Sequence, residues 1–134
     1  MTTYVDSSAL LKRYVDEADS DVADRLIGSD LVLVTSWVTA IEVRRNLARL
    51  LTGTDLVAAQ SQFSADLGAI AMITCDELVA TAAAAIGEIL GVRSLDAIHL
   101  ASAQRLQIHA ITFVTFDLRQ AQAARSLGFT VRGA

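Results

Sequence analysis

The chain contains no proline and a single cysteine, Cys75, among its 134 residues. One cysteine cannot form an internal disulfide, and no other cysteine or histidine stands at metal-ligand spacing from it. A protein of a reducing compartment is consistent with this composition. We therefore expect Cys75 to be a small buried apolar residue.

Long hydrophobic runs are also missing. The uncharged stretch 31–41 is far shorter than the roughly 18 residues that a membrane-spanning helix needs. The first residues do not form a basic segment followed by an apolar one, because Asp6 lies where a secretory signal would be apolar. We expect a cytoplasmic protein without a membrane partner.

Positive charge is scarce: the formal net charge is −4, and Lys12 is the only lysine. This balance argues against a protein that coats nucleic acid by bulk attraction. A metal-dependent nuclease stays open, since a bound cation supplies positive charge locally. Apolar residues make up 53% of the chain, and we expect part of this excess to cover an interface between copies of the chain.

Short apolar runs alternate along the chain with helical patterns. The runs predicted as strands are 3–5, 31–35, 69–74, 110–115 and 129–131. Such alternation is typical of a parallel sheet with helices on both faces. No linker or repeat interrupts the pattern. We predict a single α/β domain over residues 1–134, with a three-layer architecture and about five strands.

Polar residues predict where several helices begin and end. Ser36 and Ser94 are expected to cap helices, and Thr74 with Glu77 forms a capping-box pattern before the alanine-rich segment. Gly53 is expected to end the helix that Ser36 opens. The first helix is predicted over residues 7–15 from the spacing of its apolar positions.

Four carboxylates follow the predicted strands. Asp6 comes directly after the first strand, and Asp117 closely follows the fourth. Glu42 lies about a turn and a half into the helix after the second strand, and Asp96 lies in the first turn of a later helix. In open parallel sheets ligands bind beyond the carboxyl ends of the strands, so these four acids are candidates for one site.

Each acid also has a purely structural alternative. Asp6 and Asp117 could cap the helices that follow them, and Asp96 could favour a helix N-terminus through the helix dipole. Glu42 could pair with an arginine on its own helix. Independent caps have no reason to gather at one sheet edge, however, so we interpret the four acids as a cluster.

A cluster of this kind requires a counter-charge. Two carboxylates about 4 Å apart repel each other by about 1 kcal/mol in water and by about 4 kcal/mol at an effective dielectric constant of 20. Protons or a cation must neutralise them. Oxygen ligands without histidine or cysteine suit Mg²⁺ or Mn²⁺, ions that promote displacement at phosphate.

Four stretches carrying these acids resemble the acidic motifs of the PIN-domain ribonucleases, and most closely those of the VapC-type toxins of bacterial toxin–antitoxin pairs. They are YVDSSALLKRY, TAIEVRRNL, SLDAIHLASA and VTFDLRQAQAARSLGF. No single motif is specific, but all four occur in the family's order and approximate spacing. The resemblance implies a PIN-type parallel sheet, Mg²⁺- or Mn²⁺-dependent endoribonuclease activity, homodimerisation and inhibition by a small antitoxin.

The resemblance also implies roles for individual residues. Asp6, Asp96 and Asp117 would hold the metal, directly or through its water. Glu42 would orient water at the metal or bind a second ion. Thr115 matches a small hydroxyl position near the metal. Ser8 is a weaker candidate of the same kind, with a local hydrogen bond at the helix start as its alternative.

Cations near the acids could bind the phosphates of RNA. The candidates near the acids in sequence are Arg44, Arg45, Arg49, Arg93 and Arg119. Ordinary surface solubility is the alternative for each.

His99 is expected to be a partly buried side chain with satisfied hydrogen bonds, and His109 a structural one. Aromatic residues make up 5% of the chain, so we do not expect a stacking platform for bases. We expect helices between residues 54 and 90 to form the dimer.

Two other functions compete with the nuclease. Phosphatases and receiver domains that form an aspartyl phosphate place a lysine near the phosphoryl group from late in the chain, whereas Lys12 lies in the first helix. A non-catalytic PIN-fold module that binds RNA or protein is the remaining alternative. Loss of the acids would favour it, and all four are present.

Overall fold

The structure is a computed structural model that describes residues 2–28, 32–108 and 110–134. Leu31, predicted to begin the second strand, and His109, predicted to be structural, lie outside the described residues. Strands and helices alternate along the described chain. The strands are β1 (Thr2–Val5), β2 (Val32–Ser36), β3 (Ala71–Ile73), β4 (Ile111–Thr115) and β5 (Thr130–Gly133). The helices are α1 (Ser7–Leu11), α2 (Ser20–Gly28), α3 (Trp37–Leu50), α4 (Gly53–Leu67), α5 (Glu77–Leu90), α6 (Ser94–Arg105) and α7 (Leu118–Ser126).

The five strands form one parallel sheet in the order β3-β2-β1-β4-β5. β1 is central: Tyr4 pairs with Val34 of β2 on one side and with Phe113 of β4 on the other. The chain adds β2 and β3 on one side of β1, then β4 and β5 on the other. The strand order therefore reverses between β1 and β4, which is where open α/β sheets form a crevice.

The sheet separates two apolar cores because successive residues of a strand point to opposite faces. Tyr4 and Phe113 pack with α5, α6 and α7 on one face. Val5 and Val114 pack on the other face with α1 to α4, where Phe63 is fully buried. Burial of an apolar side chain of this size contributes about 1.5–3 kcal/mol. The predicted α/β class, with a parallel sheet between two helical layers, is confirmed.

Of three predicted helix starts, one is confirmed and two are wrong. Ser36 caps α3, as predicted, by accepting a hydrogen bond from the Val38 N–H. The predicted capping box before α5 is wrong, because Asp76 is the cap and its Oδ1 accepts from the Val79 N–H at 2.9 Å. Ser94 is the first residue of α6 rather than its cap.

Some predicted boundaries also shift. Helix α1 ends at Leu11, four residues early, because the next N–H groups bond to carbonyls three residues back rather than four. Gly53, at φ 58°, opens α4 instead of ending α3. Strand β3 is a partly exposed edge strand rather than a buried one. Cys75 is exposed, not buried, because it lies in the loop between β3 and α5.

None of the helices within the described ranges is long and apolar enough to cross a bilayer.

Candidate active site

The carboxyl ends of β1 and β4 lie side by side, and an aspartate follows each of them. The Asp6 N–H donates to the Val114 carbonyl at 3.2 Å, which holds Asp6 against the end of β4. Asp6 caps α1, and Asp117 caps α7 by accepting from the Gln120 N–H at 3.0 Å. The structural alternative is thus correct for both residues. It does not compete with a functional role, because each capping bond uses only one carboxylate oxygen.

Two hydroxyl groups connect these aspartates. Ser8 Oγ donates to Asp6 Oδ1 at 2.7 Å and accepts from the Phe116 N–H at 3.0 Å. Thr115 Oγ1 lies 3.3 Å from Ser8 Oγ and accepts from the Asp117 N–H at 3.1 Å. The two residues predicted to support the site therefore lie between Asp6 and Asp117, and Ser8 also makes the local hydrogen bond of its alternative.

Asp6 is only 4% exposed. Burial raises the pKa of its carboxyl, and the nearby His99 and the hydrogen bonds from Thr115, Ser8 and Ala9 oppose this effect without cancelling it. The ionised carboxylate is therefore held in an environment that disfavours its charge. A neighbouring cation would lower that cost.

Asp96, in the first turn of α6, lines a cleft together with Asp117. The cleft has a volume of about 450 Å³. Burial raises the pKa of Asp96, the negative charge of Asp117 raises it next, and Asp6 and Glu42 add to the same effect, with His99 opposing. Acids that follow β1, β2 and β4 in the chain thus act on the carboxyl group of Asp96.

Gln120 connects the two helices that carry the cleft. Its Nε2 donates to the Asp96 carbonyl at 3.1 Å, and its backbone N–H donates to Asp117 Oδ1. The side chain is fully buried, and its Oε1 has no hydrogen-bond partner among the described residues. Sequence reasoning missed Gln120, because a glutamine in a helix of alternating polar and small residues gives no signal of burial.

Glu42 is held by two donors that come from different elements. Ser7 Oγ donates to its Oε1 at 2.9 Å, and His99 Nε2 lies 2.7 Å from the same oxygen. The other ring nitrogen of His99, Nδ1, lies 2.9 Å from the hydroxyl of Tyr4. Burial raises the pKa of Glu42, but His99 and Ser7 outweigh burial, so the pKa lies below its ordinary value. The structural alternative for Glu42, an ion pair with an arginine of its own helix, is not found among the described residues.

The acids do not enclose a common point as they stand. In the part of the chain that the structure describes, no group of three or more His, Cys, Asp or Glu side chains is arranged to hold a metal ion. The donor chemistry nevertheless fits Mg²⁺ or Mn²⁺, because the edge offers carboxylate oxygens whose mutual repulsion a dication would relieve. The Asp96 carboxylate in particular has no hydrogen-bond or ion-pair partner among the described residues.

The predicted arginines divide into two groups. Arg93 and Arg119 line the cleft beside Asp96 and Asp117. Arg44, Arg45 and Arg49 are exposed on α3 and are not among the residues that line it.

Lys12 is engaged away from the cleft. Its ammonium lies 2.7 Å from Asp19 Oδ1 and 3.1 Å from Glu17 Oε2, and 5.0 Å from the centre of the Phe116 ring. These contacts support the exclusion of an aspartyl-phosphate enzyme, which would need this lysine at the phosphoryl group.

The sequence of the chain is similar to those of known proteins. Residues 3–126 match the family model of the PIN domain. Ribonuclease VapC46 of Mycobacterium tuberculosis is 34% identical over 131 residues, which cover 96% of this chain and 94% of that protein.

Two solved structures share the fold at low sequence identity. One is the crystal structure of Mycobacterium tuberculosis VapC20, described as a toxin that cleaves the sarcin–ricin loop, with a TM-score of 0.71, 20% identity and 95% of each chain covered. The other is a toxin–antitoxin complex from Klebsiella pneumoniae, with a TM-score of 0.69, 16% identity and 86% of each chain covered. The chain belongs to the PIN-domain family and resembles its VapC-type members.

Proposed function

We propose that the chain is a Mg²⁺- or Mn²⁺-dependent endoribonuclease that acts as the toxin of a toxin–antitoxin pair. One observation carries the proposal: Asp6 and Asp117 follow neighbouring strands of the sheet, and Asp117 lines the same cleft as Asp96. The similarity to a ribonuclease of nearly the same length supports RNA as the substrate. A non-catalytic binding module would have no need to retain four mutually repelling acids.

Asp6, Asp96 and Asp117 would hold the cation. Their donor set consists of oxygen, and a dication would remove the cost of keeping buried and neighbouring carboxylates ionised. When bound, the cation supplies Lewis acidity that stabilises negative charge on the reacting phosphate. Ser8 and Thr115 would keep Asp6 and Asp117 in register through the hydrogen bonds that connect the end of β4 to α1.

The remaining residues would bind and orient. Glu42 would position the attacking water and accept its proton. Arg93 and Arg119 line the cleft and would bind RNA phosphates on either side of the scissile bond. Arg44 and Arg45, on the exposed side of α3, would contact phosphates farther along the RNA.

The partners of this activity are also part of the proposal. A small antitoxin would inhibit the enzyme, as the toxin–antitoxin complex of similar fold suggests. We propose a homodimer formed through α4 and α5, where Val57, Leu78 and Ile89 expose large apolar side chains. The whole chain would act as one PIN domain in the cytoplasm, where RNA is synthesised and translated.

Two substitutions test the catalytic proposal. Asp6→Asn and Asp96→Asn should each lower the rate of RNA cleavage by about 10²–10⁴-fold, because each removes a negative ligand while preserving the size of the side chain. EDTA should abolish cleavage by the native protein, and added Mg²⁺ or Mn²⁺ should restore it. The measurement is the rate of appearance of new RNA ends, mapped on total cellular RNA.

Asp76→Asn is the matched control. Asp76 also follows a strand and caps a helix, but it does not line the cleft. This variant should cleave RNA at the native rate. Native rates in both the Asp6 and the Asp96 variants would refute the mechanism, and RNA binding without cleavage would favour the non-catalytic module.

A further inference from the structure

His99 lies at the centre of a buried chain of polar groups that the proposed chemistry does not use. The ring is 1% exposed, and its two nitrogens face Tyr4 and Glu42. Both ring nitrogens are therefore occupied by protein groups and do not contact RNA directly. A catalytic acid or base must reach the proton that it transfers, so His99 does not act directly on the substrate.

The contacts define how the ring is held. Tyr4 belongs to the central strand, is fully buried and stacks on Phe113, with 5.1 Å between the ring centres. Its hydroxyl is therefore a fixed group, and burial raises the pKa of Tyr4 well above its ordinary value, so the hydroxyl keeps its proton. Nε2 donates to Glu42 Oε1 in either of two arrangements: with Tyr4 donating to Nδ1, or with both ring nitrogens protonated and Nδ1 donating to the Tyr4 hydroxyl.

These contacts fix the direction of the Glu42 carboxylate. The hydrogen bonds from His99 and Ser7 both end on Oε1, and Oε2 receives none from the described residues. A glutamate on an exposed stretch of helix otherwise samples several rotamers. Here one oxygen is anchored through His99 to the central strand of the sheet, which fixes the direction of the carboxylate and leaves Oε2 without a hydrogen bond from the described residues.

We propose that His99 is a positioning residue that holds the Glu42 carboxylate by linking it to Tyr4, so that Oε2 faces the reaction. The inference rests on the proposed nuclease function, but it concerns a residue and a contact that the metal-binding acids do not require. Partners that orient a reactive carboxylate or metal ligand typically account for about 10–100-fold in activity.

Two substitutions of His99 distinguish a role in positioning Glu42 from a role in filling space. In His99→Gln the amide nitrogen can reach the place of Nε2 and donate to Glu42, whereas the shorter side chain in His99→Asn cannot. His99→Asn should lower kcat about 10–100-fold with little change in KM, because the residue does not touch the substrate. His99→Gln should recover most of that loss. Equal losses in kcat for both variants would overturn the proposal.

A double-mutant cycle with Glu42→Gln provides the second readout. If His99 acts through Glu42, His99→Asn should cause little further loss in the Glu42→Gln background. A role limited to packing would instead lower kcat by the same factor in both backgrounds, and that result would overturn the proposal. Tyr4→Phe keeps the stacked ring and removes only the hydroxyl, so its smaller loss should likewise vanish in the Glu42→Gln background.

The site of the ring proton can be measured without activity. Nitrogen-15 NMR of the native protein should find the His99 proton on Nε2, facing Glu42, and a neutral ring protonated only on Nδ1 would contradict the proposal. Failure of this inference is distinguishable from failure of the nuclease proposal. If Glu42→Gln keeps full kcat while Asp6→Asn abolishes cleavage, the positioning role is wrong and the nuclease stands.

Discussion

At the scale of single residues, Asp96 shows the energetic conflict of the site most directly. Its carboxylate is half-buried and faces the negative charges of three other acids, and no described residue donates a hydrogen bond to it. Burial and like charge both disfavour ionisation. At neutral pH the ionised Asp96 carboxylate therefore lowers the stability of the folded protein, and the described protein groups do not offset this loss.

This cost predicts a stability change on substitution. Because the pKa of Asp96 is raised in the folded protein, its contribution to stability is complete at low pH and is lost as the pH rises through the folded-state pKa. In metal-free buffer at neutral pH, Asp96→Asn should therefore raise the melting temperature by a few degrees. The difference should disappear in acid, where both proteins are neutral at this position.

The melting temperatures of the native protein and of Asp96→Asn should be measured at neutral and at acidic pH, with EDTA present. Asp76→Asn is again the control, because asparagine caps a helix about as well as aspartate and the melting temperature should hardly change. A lower melting temperature for Asp96→Asn than for the native protein at neutral pH would contradict the prediction.

At the scale of elements, β5 supports the end of β4, where the proposed site begins. Gly133 pairs with Thr115, and the Ala134 N–H donates to the Thr115 carbonyl at 2.8 Å. Gly133 has φ 106°, and a Cβ at this position would overlap the Thr115 carbonyl oxygen. Only glycine allows this strand to approach so closely.

Gly133→Ala should therefore destabilise the protein by about 1–3 kcal/mol, through backbone strain and displacement of β5. The free energy of unfolding from a urea titration measures this effect. Gly28→Ala is the control, since a Cβ there meets nothing within 4 Å and the position is helical. An unchanged free energy of unfolding in Gly133→Ala would show that β5 adjusts without cost.

At the scale of the whole molecule, the strand order places the proposed site. β1 and β4 are neighbours in the sheet although more than a hundred residues separate their starts. Asp6 and Asp117 stand at neighbouring strand ends only because of this pairing, and α6 brings Asp96 to the cleft that Asp117 lines. A cation held there would join distant segments, so binding should stabilise the folded state as a whole.

We therefore predict that Mg²⁺ or Mn²⁺ raises the melting temperature of the native protein. Ligand at about 100 times its dissociation constant contributes about 2.7 kcal/mol to folding stability. Asp6→Asn and Asp96→Asn should lose most of this shift, whereas Asp76→Asn should retain it. Sodium chloride at equal ionic strength controls for screening, and an equal shift with the sodium salt would argue against a specific cation site.

The predictions that succeeded rest on local patterns. Apolar runs, helical periodicity and the cap at Ser36 depend on residues close in sequence, and they identified the α/β class and most elements. The errors have two different sources. At α5 one local signal replaced another, because Asp76 rather than Thr74 caps the helix. Cys75 is exposed because its loop lies outside both cores, which only the tertiary structure decides.

The sequence by itself determined which acids stand next to the ends of strands, because an acid after an apolar run is readable without coordinates. Only the tertiary structure decided that His99 holds Glu42, that Gln120 joins α6 to α7, and that Arg93 and Arg119 face the cleft. The physical reason is sequence distance. His99 and Glu42 are 57 positions apart, and their contact depends on how two helices pack against one sheet, which neither local sequence encodes.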